Sequence, residues 1–161
     1  MSLTSDLSLM KIRFIWPGKT KDEHLRALIN DYLKRLQRFV RCEVIETREV
    51  AGSDPANIEK ESRRLLDAIP ASSLMILLDV GGQEWSSQEL AEELRRWENA
   101  SVKEVAVVIG GHDGTGSEVS ARAQKRWLLS HLTLTHEMAR VLVVEQLYRA
   151  YTINRGLPYQ K

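Results

Sequence analysis

The side chains of this sequence with chemistry to offer are four histidines, one cysteine, and a Glu145–Arg149 pair with further arginines near the C-terminus. His24, His112, His131 and His136 form no cluster with metal-ligand spacing, and no metal site is expected. Cys42 stands alone. It closes no disulfide within one chain, which points to a reducing, cytosolic compartment. Ser130 lacks the flanking glycines of a nucleophile elbow, and chain order assembles no Ser-His-acid triad. Gly111 to Gly116 reads GHDGTG, which misses the dinucleotide fingerprint, and no GxxxxGK[ST] loop occurs. Sites for NAD and ATP are disfavoured on both counts.

What remains is concentrated in residues 131–161. The segment 137–154 has helical spacing with apolar side chains nearly all round: Met138, Val141, Leu142, Val143, Val144, Leu147, Tyr148, Ala150 and Tyr151. A helix apolar on every face is buried on every face. Cover at the end of a short chain is hard to find, so a homodimer is expected to supply it. Glu145 and Arg149 are four apart, the spacing of an intrahelical ion pair that could act as a specificity device at such an interface. Arg140 has no acid four residues away on either side, where 136 is His and 144 is Val; it reads equally as a surface arginine or as one directed at an anionic substrate. His136 precedes the helix, where an imidazole caps or packs, or as a cation meets phosphate. Within the tail 154–161, arginine, tyrosine and lysine suit RNA, by charge and by ring stacking, although tails commonly fray.

The elements that must position these groups follow from periodicity. Strands are predicted at 11–16, 41–47, 73–80, 104–109 and 131–134. Helices are predicted at 22–39, 54–69, 86–100, 117–129 and 137–154, with Ser86 and Glu89 spaced as a capping box. Five alternations, with runs such as SLMILLDV and EVAVVI apolar enough to be buried on both faces, predict an α/β sandwich around a mostly parallel sheet. Residues 1–9 are polar and small and read as a disordered extension, with the fold expected from Met10. Ligands in such sheets bind beyond the carboxyl ends of strands. Three of those ends carry glycines or polar turns here: Leu78-Asp79 before Gly81-Gly82, Ile109 before Gly110-Gly111, and 131–134 before Thr135-His136.

The chain has 161 residues, 23 basic and 22 acidic, a net +1. That excludes a bulk nucleic-acid coat, and no apolar run reaches the roughly 18 residues of a membrane span. The mean conceals a polarity. Residues 80–120 hold 3 basic and 8 acidic side chains, whereas 121–161 hold 7 and 2. The C-terminal quarter is therefore a candidate anion site.

Along the chain, the LLD strand end, the VIGGHDG turn, the LSHLTL segment, the helix HEMARVLVVEQLYRAYTI and the tail RGLPYQK resemble the bacterial ribosomal RNA large subunit methyltransferase H family. The resemblance runs from about Met10 to Lys161. It implies one SPOUT methyltransferase domain over residues 10–161, with a C-terminal trefoil α/β knot, acting as a homodimer in the cytoplasm. The implied reaction moves a methyl group from S-adenosyl-L-methionine to N3 of a pseudouridine in 23S rRNA, in the assembled ribosome or its large subunit. Carried over position by position, the cofactor contacts fall on Leu78, Gly110, Leu129, Ser130, His131, Leu132, Thr133 and Leu134. Arg149, Arg155, Tyr159 and Lys161 would face the RNA, partly from a second subunit. N3 carries a proton at neutral pH, so the site must remove it or stabilise the anion. Arg140 is expected to stabilise that charge and His136 to handle the proton.

Two positions depart from the family pattern. Gln160 stands where a tail histidine is usual, and an amide neither accepts a proton nor carries charge. This keeps open a non-catalytic RNA-binding homodimer as the alternative. His112-Asp113 replaces the small or rigid residues common in the glycine turn.

Overall fold

The apolar runs form the centre of one sheet because they can bury both faces, and the alternating segment 41–47 pairs at its edge. A computed structural model describes residues 7–52 and 54–159. The elements run β1 Lys11–Pro17, α1 Glu23–Leu36, β2 Arg41–Thr47, α2 Pro55–Asp67, β3 Leu74–Glu84, α3 Ser87–Asn99, β4 Glu104–Val108, α4 Ser117–Arg122, β5 Lys125–Leu128 and α5 His136–Asn154. Strand order is β2-β1-β4-β3-β5, and every pair is parallel. Alternate residues of the central strands separate two cores. Ile12, Phe14, Trp16, Val105 and Val107 face one layer with Leu94, Val144 and Leu147 of α3 and α5. Ile15, Met75, Leu77, Ala106 and Val108 face the other with Leu65 and Val119 of α2 and α4. The parallel α/β architecture is thus the one the periodicity predicts.

Two elements differ from expectation, and both shape the site. The fifth strand is not 131–134 but 125–128, taken from the end of the segment expected to be helical. The helix stops at Arg122 because Ala123 turns extended and Gln124 grips β3 twice, donating its N–H to Met75 O and accepting Met75 N–H on its side chain. Residues 129–135 are thereby released as a loop. β3, in turn, runs past Val80 through both glycines to Glu84, with its pairing to β5 shifted between Leu78 and Gln83. Gly82 makes that possible: a Cβ there would lie 2.6 Å from the Arg126 backbone.

The cover for α5 also differs. α1 and α3 pack along its two flanks with the sheet beneath. Val141, Val143, Val144, Leu147, Ala150 and Tyr151 are buried within the single chain. The argument that this helix needs a second chain for cover is therefore corrected. Among the residues α5 leaves short of burial is a stripe at i, i+4, i+7 and i+11, with Met138 exposed and Leu142, Glu145 and Arg149 half-buried. The preceding extension is partly tied down, since Ser8 donates to Phe39 O and to Glu98; residues 1–6 lie outside the described residues.

Candidate functional site

A cleft of about 340 Å³ opens at the carboxyl side of the sheet. Its walls are three pieces of backbone: Leu78–Val80 of β3, the β4 exit with Ile109, Gly110, Gly111, Gly114 and Thr115, and the loop Leu128–Leu134 after β5. Trp127 and Ala139 complete the lining. All eight positions expected to contact a cofactor are in it: Leu78, Gly110, Leu129, Ser130, His131, Leu132, Thr133 and Leu134. The walls are mainly aliphatic, with backbone N–H and C=O groups between them. Asp79 brings the one carboxylate of the lining, already engaged by Gly81 N–H and Arg126.

Local chemistry holds each wall in place. Gly110 is packed so closely that a Cβ would lie 2.7 Å from Thr115 Cγ2. Gly114 turns the β4 exit back at φ +82°, and its N–H reaches Gly111 O. In the β5 loop, Ser130 Oγ accepts Leu132 N–H at 3.0 Å, and Thr135 Oγ1 caps α5 by accepting Met138 N–H. His131 meets Glu84 in an exposed pair with Nε2 and Oε2 3.3 Å apart.

The start of α5 is bolted to the β1–α1 loop. Glu137 accepts the N–H groups of Lys21 and Asp22 at 3.1 and 3.0 Å. These bonds, with Arg140 nearby, hold its carboxyl below the usual range against the opposing effect of burial. One turn on, Arg140 donates to Pro17 O at 2.7 Å, Gly18 O at 3.3 Å and Thr20 Oγ1 at 3.0 Å, and stacks 4.9 Å from the Trp16 ring. It is 0% exposed and does not line the cleft. The surface reading of Arg140 is thereby corrected: its guanidinium faces the carbonyls of Pro17 and Gly18 and the Thr20 hydroxyl. Burial pushes its pKa down from the ordinary arginine value.

His136 follows the cleft loop directly and its ring lies 6.3 Å from that of His112, on the neighbouring glycine turn. With its side chain 30% exposed, its pKa is pushed down first by burial and then by Arg140 and His112; Glu137 and Glu49 oppose this. A neutral ring accepts a proton but is not a fixed cation for phosphate. The sign of the pH effect follows: the unfolded chain binds this proton more tightly, so stability is full above the ordinary value of 6.5 and falls as pH drops below it. Urea titrations at pH 5.5 and 7.5 are expected to show a smaller loss at the lower pH in His136→Gln than in the native chain.

A second constellation sits farther along α5. Arg149 donates to Glu145 Oε1 from Nε at 3.0 Å and Nη2 at 2.6 Å, and Tyr159 donates its phenol to the same oxygen at 2.9 Å. The Tyr159 ring has the Arg149 guanidinium at 4.7 Å and Tyr148 edge-on at 4.7 Å, with the Tyr32 hydroxyl 3.4 Å from its own. Burial and the Tyr32 and Glu145 contacts raise the Tyr159 pKa, keeping the phenol protonated. The tail returns to the helix through a Schellman cap: Gly156 takes φ +67°, with Gly156 N–H on Ile153 O and Leu157 N–H on Thr152 O. Spacing identifies the Glu145–Arg149 pair but not the third member, Tyr159, which only this reversal brings back. Arg155 lies over the Phe39 ring at 5.4 Å. Gln160 and Lys161 are outside the described residues. No member of this cluster lines the cleft of its own chain. Ala139 and Glu145 are six residues apart, about 9 Å along the helix axis.

An open parallel sheet with a mainly apolar cleft beyond its strand ends, and no phosphate loop in its sequence, defines an α/β domain whose cleft is framed by backbone and aliphatic groups. The family model described as "Predicted SPOUT methyltransferase" matches residues 10–160. A ribosomal RNA large subunit methyltransferase H of Geobacter metallireducens is 38% identical over 151 residues, covering 93% of this chain and 98% of that protein. The one of Anaeromyxobacter dehalogenans is 41% identical over 155 residues, 94% and 100%. Among solved structures, a probable methylase family protein from Haemophilus influenzae Rd KW20 superposes with a TM-score of 0.53 at 13% identity, over 96% of this chain and 71% of that one, a likeness of fold. The chain belongs to the SPOUT methyltransferases, in the ribosomal RNA large subunit methyltransferase H family. Among the described residues no group of three metal-ligating side chains occurs, and no helix is long and apolar enough to cross a membrane.

Proposed function

We propose that this protein is an S-adenosyl-L-methionine-dependent methyltransferase of large-subunit ribosomal RNA, acting on N3 of a pseudouridine as a knotted homodimer in the cytoplasm. The observation that carries the reading is the cleft, where eight positions from three separate chain segments meet. Its size lies at the small end of the range for organic-ligand pockets. The residues fit the cofactor: Leu78, Leu129, Leu132 and Leu134 offer aliphatic faces to an adenine, and the backbone of 110–111 and 129–134 offers hydrogen-bonding groups without acidic competition. At Gly110 any side chain would crowd Thr115, which lines the same cleft. The cofactor supplies a methyl group on a sulfonium, ready for a nucleophilic nitrogen.

The chain's own part is binding, orientation and proton handling. Glu137 and Arg140 fix the β1–α1 loop and the start of α5, and with it the loop that forms one cleft wall. Arg140 thus serves as a positioning residue, at one remove from the imide charge that it was expected to stabilise. His136, neutral and at the edge of that wall, is placed to accept a proton. Arg149, Tyr159, Arg155 and Lys161 face the RNA, with Glu145 orienting the first two. Since that cluster lies away from its own cleft, a second copy of the chain brings it to the cleft of the first.

The test is incorporation of labelled methyl from S-adenosyl-L-methionine into 23S rRNA of ribosomes that lack the modification, with the modified base mapped. Incorporation at N3 of a pseudouridine is expected. Cofactor binding by calorimetry without incorporation would replace this reading by the non-catalytic RNA-binding dimer.

A further inference from the structure

The basic C-terminal quarter does not end with the tail. Residues 34–41, KRLQRFVR, contain four basic side chains and no acidic one, in the turn that carries α1 into β2. Lys34, Arg38 and Arg41 are exposed. Among the described residues none of the three forms an ion pair, whereas Lys11, Arg13, Arg35, Arg96, Arg126 and Arg149 each meet a carboxylate. Cations in a last helical turn can simply offset the helix dipole, and Lys34 and Arg35 are so placed. Arg38 and Arg41 are not: beyond Leu36, where α1 ends, Arg38 lies on a turn fixed by Phe39 and Val40 N–H groups donating to Leu36 O, and Arg41 opens β2.

Packing joins this turn to the tail cluster. Phe39 lies beneath Arg155, stacks on Tyr151 at 5.8 Å and touches Tyr148 at 6.0 Å. Arg35 sits over Tyr32 and Tyr148, the two tyrosines that adjoin Tyr159. The opposite flank of α5 has the opposite sign, because α3 presents Glu89, Glu92, Glu93 and Glu98 against Arg95 and Arg96. The net charge of the molecule hides a ridge with one polarity.

We propose that the α1–β2 turn, through Lys34, Arg38 and Arg41, is a docking ridge for the phosphodiester backbone of ribosomal RNA flanking the target nucleotide. This rests on the function proposed above and extends its RNA surface from the tail to a helix near the other end of the chain. A row of unneutralised cations continuous with arginine-capped aromatic rings suits a polyanion with bases better than a single phosphate. Contacts of this kind add affinity without reading sequence, and they reveal themselves by their salt dependence.

The experiment compares the full-length protein with the triple variant Lys34→Gln/Arg38→Gln/Arg41→Gln. Lys60→Gln/Arg63→Gln/Arg64→Gln serves as a charge-matched control on α2, which packs on the other sheet face. Binding to protein-free 23S rRNA and to unmodified large subunits is measured between about 50 and 200 mM salt. The ridge variant is expected to bind both at least about tenfold more weakly near 150 mM. The magnitude of its slope of log affinity against log salt should fall by roughly 2 to 3, at ~0.7–0.9 per lost phosphate contact. Cofactor affinity, melting temperature and kcat at saturating RNA should be unchanged, so the loss falls on KM. The α2 control is expected to keep the native slope. A ridge variant with native affinity and slope overturns the ridge alone, as does an equal loss in the control. Loss confined to intact subunits points to a ribosomal protein instead and overturns the RNA assignment. Failure of the native protein to bind either RNA overturns both the ridge and the function on which it rests.

Discussion

Arg140→Ala is expected to destabilise the protein by about 3 kcal/mol and to lower its melting temperature by roughly 6–12 °C. The guanidinium is wholly covered and saturates Pro17 O, Gly18 O and Thr20 Oγ1. Without it, two buried acceptors and the part-buried Gly18 O lose their donor, at about 1–3 kcal/mol each where no water enters. Water in the vacated space recovers part of this, which sets the net figure near the lower end of the sum. Arg140→Lys keeps the charge but not the planar fork, and should recover only a fraction. Because the same side chain fixes the start of α5, cofactor affinity should fall along with stability. The family resemblance suggests the reverse, an arginine whose loss abolishes transfer and spares cofactor affinity. Thermal unfolding and calorimetry separate the two: an unchanged melting temperature with intact cofactor binding and no turnover would return Arg140 to the substrate.

The largest effect on the reaction is expected from Glu145→Gln, which should slow methyl transfer on the order of 10²–10³-fold while cofactor affinity stays within about twofold. One carboxylate oxygen receives both nitrogens of Arg149 and the Tyr159 phenol. An amide leaves the arginine charge uncompensated and the tyrosine less firmly held. Stability should change by only about 1 kcal/mol, since the pair is partly exposed to solvent. A mixing experiment tests how the cluster and the cleft are shared. Gly110→Leu should block cofactor binding, because even a Cβ there lies 2.7 Å from Thr115. If each site combines the cleft of one chain with the tail cluster of another, each variant alone is inactive. An equimolar mixture that exchanges subunits freely should recover about a quarter of native activity, from the heterodimers with one intact site. No recovery despite exchange, monitored by light scattering and labelled subunits, would place cluster and cleft in the same chain.

How far the residues alone lead can be seen at particular positions. The capping box at Ser86 and Glu89 forms as spaced, because a cap depends on four consecutive residues and little else. Leu78, Gly110 and 129–134 end in one cleft because strand ends in a parallel sheet share an edge whatever the loop details. The boundary between α4 and β5 was not legible: QKRWLL is as compatible with a helix as with a strand, and only pairing with β3 decides it. The Schellman reversal is encoded at Gly156, but its consequence is a contact between Tyr159 and Glu145, 14 residues apart, that depends on where Tyr32 and Tyr148 already stand.

The sequence by itself determined the alternation of strands and helices, the two-faced core and the family, since these rest on periodicity and on local motifs that survive in any surroundings. The tertiary structure decided the environment of each charge. It buried Arg140 against carbonyls, covered α5 from both flanks within one chain, and set the α1–β2 turn beside the tail as a single basic ridge. The physical reason is that burial and electrostatic partnership depend on which distant segments meet. Here a parallel sheet brings the two ends of the chain together, placing α5 against α1.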